Sequence, residues 1–129
     1  MVRESLVSAA LAVVSASAIA SDWIEIVTPA DSPGTRSYYD RASLMRSGPI
    51  TRVWIKTVYS PPQTFQDVGQ YDQWLGRYEI DCASMRVSSI DSHLSLRGTE
   101  VGTSLGTGYA DIVPDTPMET IAAKLCVRK

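Results

Sequence analysis

Two cysteines, Cys82 and Cys126, constrain this chain most, because only one intramolecular pairing is open to them. That pairing would join segments of different period. Cys82 ends the stretch RYEIDC, where Tyr78, Ile80 and Cys82 alternate with Arg77, Glu79 and Asp81. This is the period of a strand with one buried face, and it sends Cys82 inward. Cys126 follows Met118, Ile121, Ala122 and Leu125, which recur at helical spacing as one apolar stripe. A bond between the two would clamp a helix onto a sheet. For a closure of this length chain entropy allows up to about 4 kcal/mol, comparable with the ~5 to 15 kcal/mol net stability of a small domain. The competing readings, catalytic thiol or metal ligand, need a nearby base or further ligands.

Whether a bridge forms depends on compartment. The chain opens with Arg3 in a short charged head, an uncharged run from Ser5 to Ser21 and a small-x-small signal at Ala18-Ile19-Ala20. That layout predicts a secretory signal peptide over residues 1–20, cleaved after Ala20, and a single domain over residues 21–129. A membrane anchor is the alternative, but the run is rich in Ser and Ala and short of the ~20 strongly apolar residues that span a bilayer. Ser21 follows the cut where a bacterial lipoprotein needs cysteine. The expected protein is therefore exported, to the periplasm or the medium, with no lipid anchor and no membrane span. The net charge is −2, and loss of Arg3 and Glu4 leaves it unchanged. No basic surplus is present to neutralise phosphates, which excludes nucleic acid as a partner.

Along the mature chain, Trp23 to Val27 reads as a first strand and Ser37 to Asp40 as a second, paired across the turn residues Ala30 to Thr35. Asp40 to Leu44 can start one helical turn, closed by Gly48-Pro49. Thr51 to Tyr59 (TRVWIKTVY) places Val53, Ile55, Thr57 and Tyr59 on one side and Arg52, Trp54, Lys56 and Val58 on the other. Pro61-Pro62 is expected to stop it. Gln63 to Gly76 lacks a clear period and reads as a long excursion that packs its aromatics. After Cys82 the apolar parity shifts to Ala83, Met85 and Val87, as a one-residue bulge would make it. Ser89 to Arg97 reads as another strand, and Glu100 to Gly108 (EVGTSLGTG) as a hairpin or rim. It lacks the ending of a phosphate-binding loop. Thr116-Pro117-Met118-Glu119 has the composition of a capping box opening the terminal helix. The fold class expected is α+β, a mainly antiparallel sheet of about six strands with one C-terminal helix packed on it.

A search for chemistry yields no constellation. His93 is the chain's one histidine, flanked by Asp91 and Ser92, the setting of a surface residue. A structural zinc site needs about four protein ligands and a catalytic one about three held close together, and His93 with two distant cysteines supplies neither. No serine stands in a Gly-x-Ser-x-Gly elbow. Glu79 and Asp81 lie on the outward side of one strand and would act as a carboxylate pair only beneath a cleft. No cofactor, metal or catalytic residue is expected. The aromatic population is more suggestive. Trp and Tyr exposed beside Arg52, Lys56 and Arg77 would make a protein-binding patch, and a sheet with one helix on one face leaves the other face available.

The order Trp23, Tyr38-Tyr39-Asp40, Arg46 with Gly48, Val53-Trp54, Tyr78-Glu79-Ile80-Asp81-Cys82, Gly98, Val113-Pro114 and Leu125-Cys126-Val127 resembles the surface-adhesin protein E family of Gram-negative bacteria. The resemblance implies an antiparallel sheet whose C-terminal helix is tied by a disulfide between Cys82 and Cys126. It makes Trp23, Tyr39, Asp40, Trp54, Tyr78, Asp81, Gly98 and Pro114 structural motif positions. It also implies a non-enzymatic outer-surface role, binding host matrix proteins such as vitronectin and laminin, with dimerisation as a homodimer. Ser21 departs from the family's lipid-bearing cysteine, and no binding residue carries over. The function expected is an exported binding domain with a protein partner, in the host matrix or the envelope. The alternatives are a small periplasmic inhibitor of an envelope enzyme such as lysozyme, and a hydrolase built on His93.

Overall fold

A computed structural model describes residues 20–27 and 33–126. The expected leader, Ala20 excepted, and residues 28–32, with the first half of the expected turn Ala30 to Thr35, lie outside them. Among the described residues, seven strands form one antiparallel sheet in the order β1-β2-β4-β5-β6-β7, with β3 paired to β4. They are β1 (Trp23–Ile26), β2 (Thr35–Asp40), β3 (Met45–Ser47), β4 (Ile50–Phe65), β5 (Gly69–Asp81), β6 (Arg86–Leu96) and β7 (Thr99–Asp111), and the helix α1 (Pro117–Leu125) follows.

Alternation along the strands sorts the apolar residues onto one face, where Ile26, Val53, Ile55 and Ile80 are buried. Ile121, Ala122 and Leu125 of α1 close over them, joined by Tyr39, Leu44, Tyr78, Val87, Ile112 and Met118. Burying Ile or Leu contributes roughly 1.5 to 3 kcal/mol each, so the apolar stripe of α1 supplies its reason to dock. Cys82 is bonded to Cys126 with their Cα atoms 5.5 Å apart. Beside that bridge the Arg46 guanidinium donates to the Leu125 carbonyl at 2.8 Å, satisfying one of the carbonyls a helix C-terminus leaves open. A covalent tie and a charge-assisted hydrogen bond thus meet at one end of the helix.

The other half of the same face is covered differently. β4 does not stop at Pro61-Pro62: the ladder with β5 shifts register between Val58 and Gln63 and resumes to Phe65. Proline lacks a ladder donor, and the register shift is where a sheet tolerates it. Gln63 to Gly76, expected as an excursion, therefore belongs to a long hairpin. The rings of Tyr59, Phe65, Tyr71 and Trp74 meet edge to face, with centroids 5.5 to 5.9 Å apart. Trp74 stands opposite the fully buried Leu94. Val68 at the hairpin tip lies so near Gly102 of β7 that a Cβ there would sit 2.6 Å from its methyl. The hairpin end curls across the sheet as a second cover.

Other local expectations are also corrected. The parity shift after Cys82 is the β5–β6 turn, not a bulge: the Asp81 carboxylate accepts from the Ala83 and Ser84 amides at 3.0 and 3.2 Å. The real irregularity lies between Arg77 and Tyr78, opposite Ile90. Of the two readings of Glu100 to Gly108, the hairpin holds and the rim does not: the segment is the edge arm of the β6–β7 hairpin, with register shifts against β6 at Ser89/Asp91 and Leu94/Ser95. Gly106 is required at the first of these, since a Cβ there would fall 1.2 Å from the Ser89 carbonyl oxygen. The capping box does not form. Thr116 Oγ1 donates to the Val113 carbonyl at 2.7 Å instead of capping the helix, while Pro117 still opens it.

Candidate binding face

The face of the sheet opposite α1 carries the residues that alternate with the core. The registers Trp23↔Asp40, Tyr38↔Lys56, Trp54↔Arg77, Lys56↔Leu75 and Arg77↔Asp91 set them in rows running across the strands. Arg52 Nε lies 2.7 Å from Glu79, Arg77 Nε 3.2 Å from Asp91 and Arg86 Nε 3.4 Å from Asp111, each pair directly cross-strand. Exposed pairs of this kind contribute at most about 1 kcal/mol each. Their larger effect is to hold the long side chains flat against the sheet.

Aromatic rings are set among these charges. Lys56 Nζ sits 4.3 Å from the centroid of Trp23 and 5.2 Å from that of Tyr38. The Arg77 guanidinium lies 5.7 Å from the Trp54 centroid, and His93 stands at 6.2 Å from the same ring. His93 also meets Glu100 through Nδ1 and lies 3.9 Å from Asp91 through Nε2. Tyr109 donates its hydroxyl to Glu79 at 2.7 Å, and that bond to a carboxylate, with lesser burial, raises the phenol above its ordinary range. Trp23, Tyr38, Trp54 and Lys56 are all half-buried.

Between Trp23 and Trp54 runs a cleft of about 370 Å³, lined also by Ser21, Asp40, Ser43 and Leu75. Asp40 is 6% exposed. Its Oδ1 accepts from the Asp22 amide at 2.7 Å and the Ala42 amide at 3.1 Å, capping the short 3-10 turn Arg41–Ser43. Ser43 Oγ donates to the Asp40 carbonyl and accepts from the Trp54 amide at 3.1 Å. The turn expected at Asp40 thus fixes one wall of the cleft.

The motif positions divide between the two faces. Tyr39 and Tyr78 pack against the core, and burial pushes the Tyr78 phenol up. Asp81 holds the β5–β6 turn, and the Ser84 amide, foremost among its bonds, lowers its carboxyl below the ordinary value. Gly98 follows Arg97 in a two-residue turn with φ of 82° and 50°, the primed geometry that joins twisted strands. Pro114 is exposed just before α1. Trp23, Asp40 and Trp54 lie together at the cleft, which their separation in sequence did not announce. Among the described residues no cluster of three His, Cys, Asp or Glu is placed to hold a metal, and no helix is long and apolar enough to cross a membrane.

Among the described residues, one sheet with one clamped helix, one buried face and one face of rings and ion pairs defines a small disulfide-tied α+β domain. The family model for surface-adhesin protein E matches residues 23–127, and the chain belongs to that family. Its fold is similar to the crystal structure of protein E from non-typeable Haemophilus influenzae, with a TM-score of 0.50 at 12% identity over 81% of this chain and 84% of that one. No curated protein matches the sequence significantly.

Proposed function

We propose that this protein is a non-enzymatic exported domain that binds a protein partner through the helix-free face of its sheet. The observation that carries the reading is the concentration there of Trp23, Tyr38 and Trp54 beside Lys56, Arg52 and Arg77. Trp, Tyr and Arg are the residue types that dominate interface hot spots. Membership of the adhesin family supports a protein or host ligand. Membership of a surface-adhesin family supports an exported location, and a homodimer through the same face is the competing occupancy.

The test is surface-immobilised binding to a panel of matrix proteins, with Lys56→Glu and Arg77→Glu variants alongside. Saturable binding lost in both variants, with unchanged far-UV circular dichroism, is the expected result. Absence of binding to every protein of the panel removes adhesion to the matrix. An elution mass of two chains that reverts to one in either variant assigns the face to self-association instead.

A further inference from the structure

We infer that the Trp23–Trp54 cleft is the anchor subsite of the binding face and takes one neutral aromatic side chain bearing a hydrogen-bond donor, a tyrosine or tryptophan of the partner protein. The inference rests on the binding reading above and specifies what the face recognises.

Geometry gives the first argument. Trp23 on β1 and Asp40 on β2 are register partners. The β2–β4 register ends at Tyr39↔Ile55, so one further step brings Asp40 to the level of Trp54. The two indoles therefore stand two strands apart with Asp40 between them. Two strand spacings amount to about 10 Å, room for one ring between two others at contact distance. Leu75 adds an apolar surface to the same cleft.

Charge then selects among occupants. Lys56 lies over Trp23 and Arg77 over Trp54, and cleavage after Ala20 would add the Ser21 ammonium at the same cleft, so a further cation would be repelled. An anion would meet the Asp40 carboxylate. A neutral group remains, and the free acceptor specifies more. Oδ1 of Asp40 is occupied by two amides, while among the described residues no donor reaches Oδ2. A carboxylate oxygen open to the cleft, in a residue otherwise 6% exposed, favours an N–H or O–H donor. A ring with a donor on its edge, flanked by indoles, meets both requirements. Tyrosine and tryptophan are also the residues most enriched at protein hot spots, which favours them over a sugar ring for a face that binds protein.

The test is a titration of the ¹⁵N-labelled protein with N-acetyl-tyrosinamide, N-acetyl-tryptophanamide, N-acetyl-phenylalaninamide and methyl glucoside, read from the indole N–H signals by NMR. The tyrosine and tryptophan probes should shift the Trp23 and Trp54 signals and leave Trp74 unmoved. The phenylalanine probe, lacking the donor, should bind about tenfold more weakly. Equal binding of the phenylalanine probe, a response to the glucoside alone, or no shift at either indole overturns the inference. A Trp54→Leu variant that keeps its dispersion but loses the probe response supports it. Panel binding without any probe response defeats this subsite alone, whereas probe binding without a macromolecular ligand defeats the protein-partner reading alone.

Discussion

The two faces of the sheet are made by the same strands and obey different physics. In β4, Val53 and Ile55 are 1% and 3% exposed beneath the helix, while Arg52, Trp54 and Lys56 between them face the other way. One face excludes water and supplies cohesion. The other keeps rings and charges half in contact with water, where their pairing energies are small. Stability and recognition are thus assigned to alternate residues, and a substitution on one face should leave the other nearly unaffected. That separation can be attacked from both sides.

The largest effect should come from the core. Ile80→Ala removes a fully buried side chain beneath α1 and should cost about 2 to 5 kcal/mol in chemical denaturation, with matrix binding per folded molecule retained. Removing the bridge through Cys82→Ser with Cys126→Ser should cost up to about 4 kcal/mol. Intact mass after alkylation without reduction should meanwhile find no free thiol in the parent protein. Arg46→Ala, which strips the charge-assisted hydrogen bond from the Leu125 carbonyl, should cost about 1 kcal/mol; a loss as large as that of the bridge would show that the two ties are not separate. Lys56→Ala on the open face should change stability by no more than about 0.5 kcal/mol while weakening binding. A core-sized loss there would break the comparison.

Acid separates the regions more gently. Asp81 has a lowered carboxyl pKa because it accepts turn amides. Its contribution is therefore complete above the unfolded value near 3.8 and is lost as pH falls through the lower folded value. Asp81→Asn should flatten the acid limb of a thermal melting profile below about pH 4. The smallest expected change is spectroscopic: Glu79→Gln should bring the Tyr109 phenol down toward its ordinary value of 10.0, read by ultraviolet absorbance titration.

Much of this division was legible in the sequence. Alternation in Thr51 to Tyr59 and Arg77 to Cys82 assigns residues to the correct faces, and the stripe of Met118, Ile121, Ala122 and Leu125 identifies the side of α1 that docks. The bridge follows from there being one available pair. The failures have a common cause, which is that tertiary pairing overrode local signals. Pro61-Pro62 reads as a stop unless the register shift that accommodates it is known. Thr116 has the right neighbours for a capping box, but its hydroxyl finds the Val113 carbonyl. β3 is three exposed residues, Met45–Ser47, whose strand character comes only from β4. The cleft was hidden for the same reason, since nothing local places Asp40 between Trp23 and Trp54.

The interrupted pairing of β7 bears on a different hazard. An edge strand of 13 residues with Leu105 85% exposed and no proline is a template onto which further chains could stack. Register shifts at two points along it break the straight, repeating row of amides and carbonyls that cross-β growth requires. The irregular ladder thus makes β7 a poorer template for fibre growth than a straight edge of the same length.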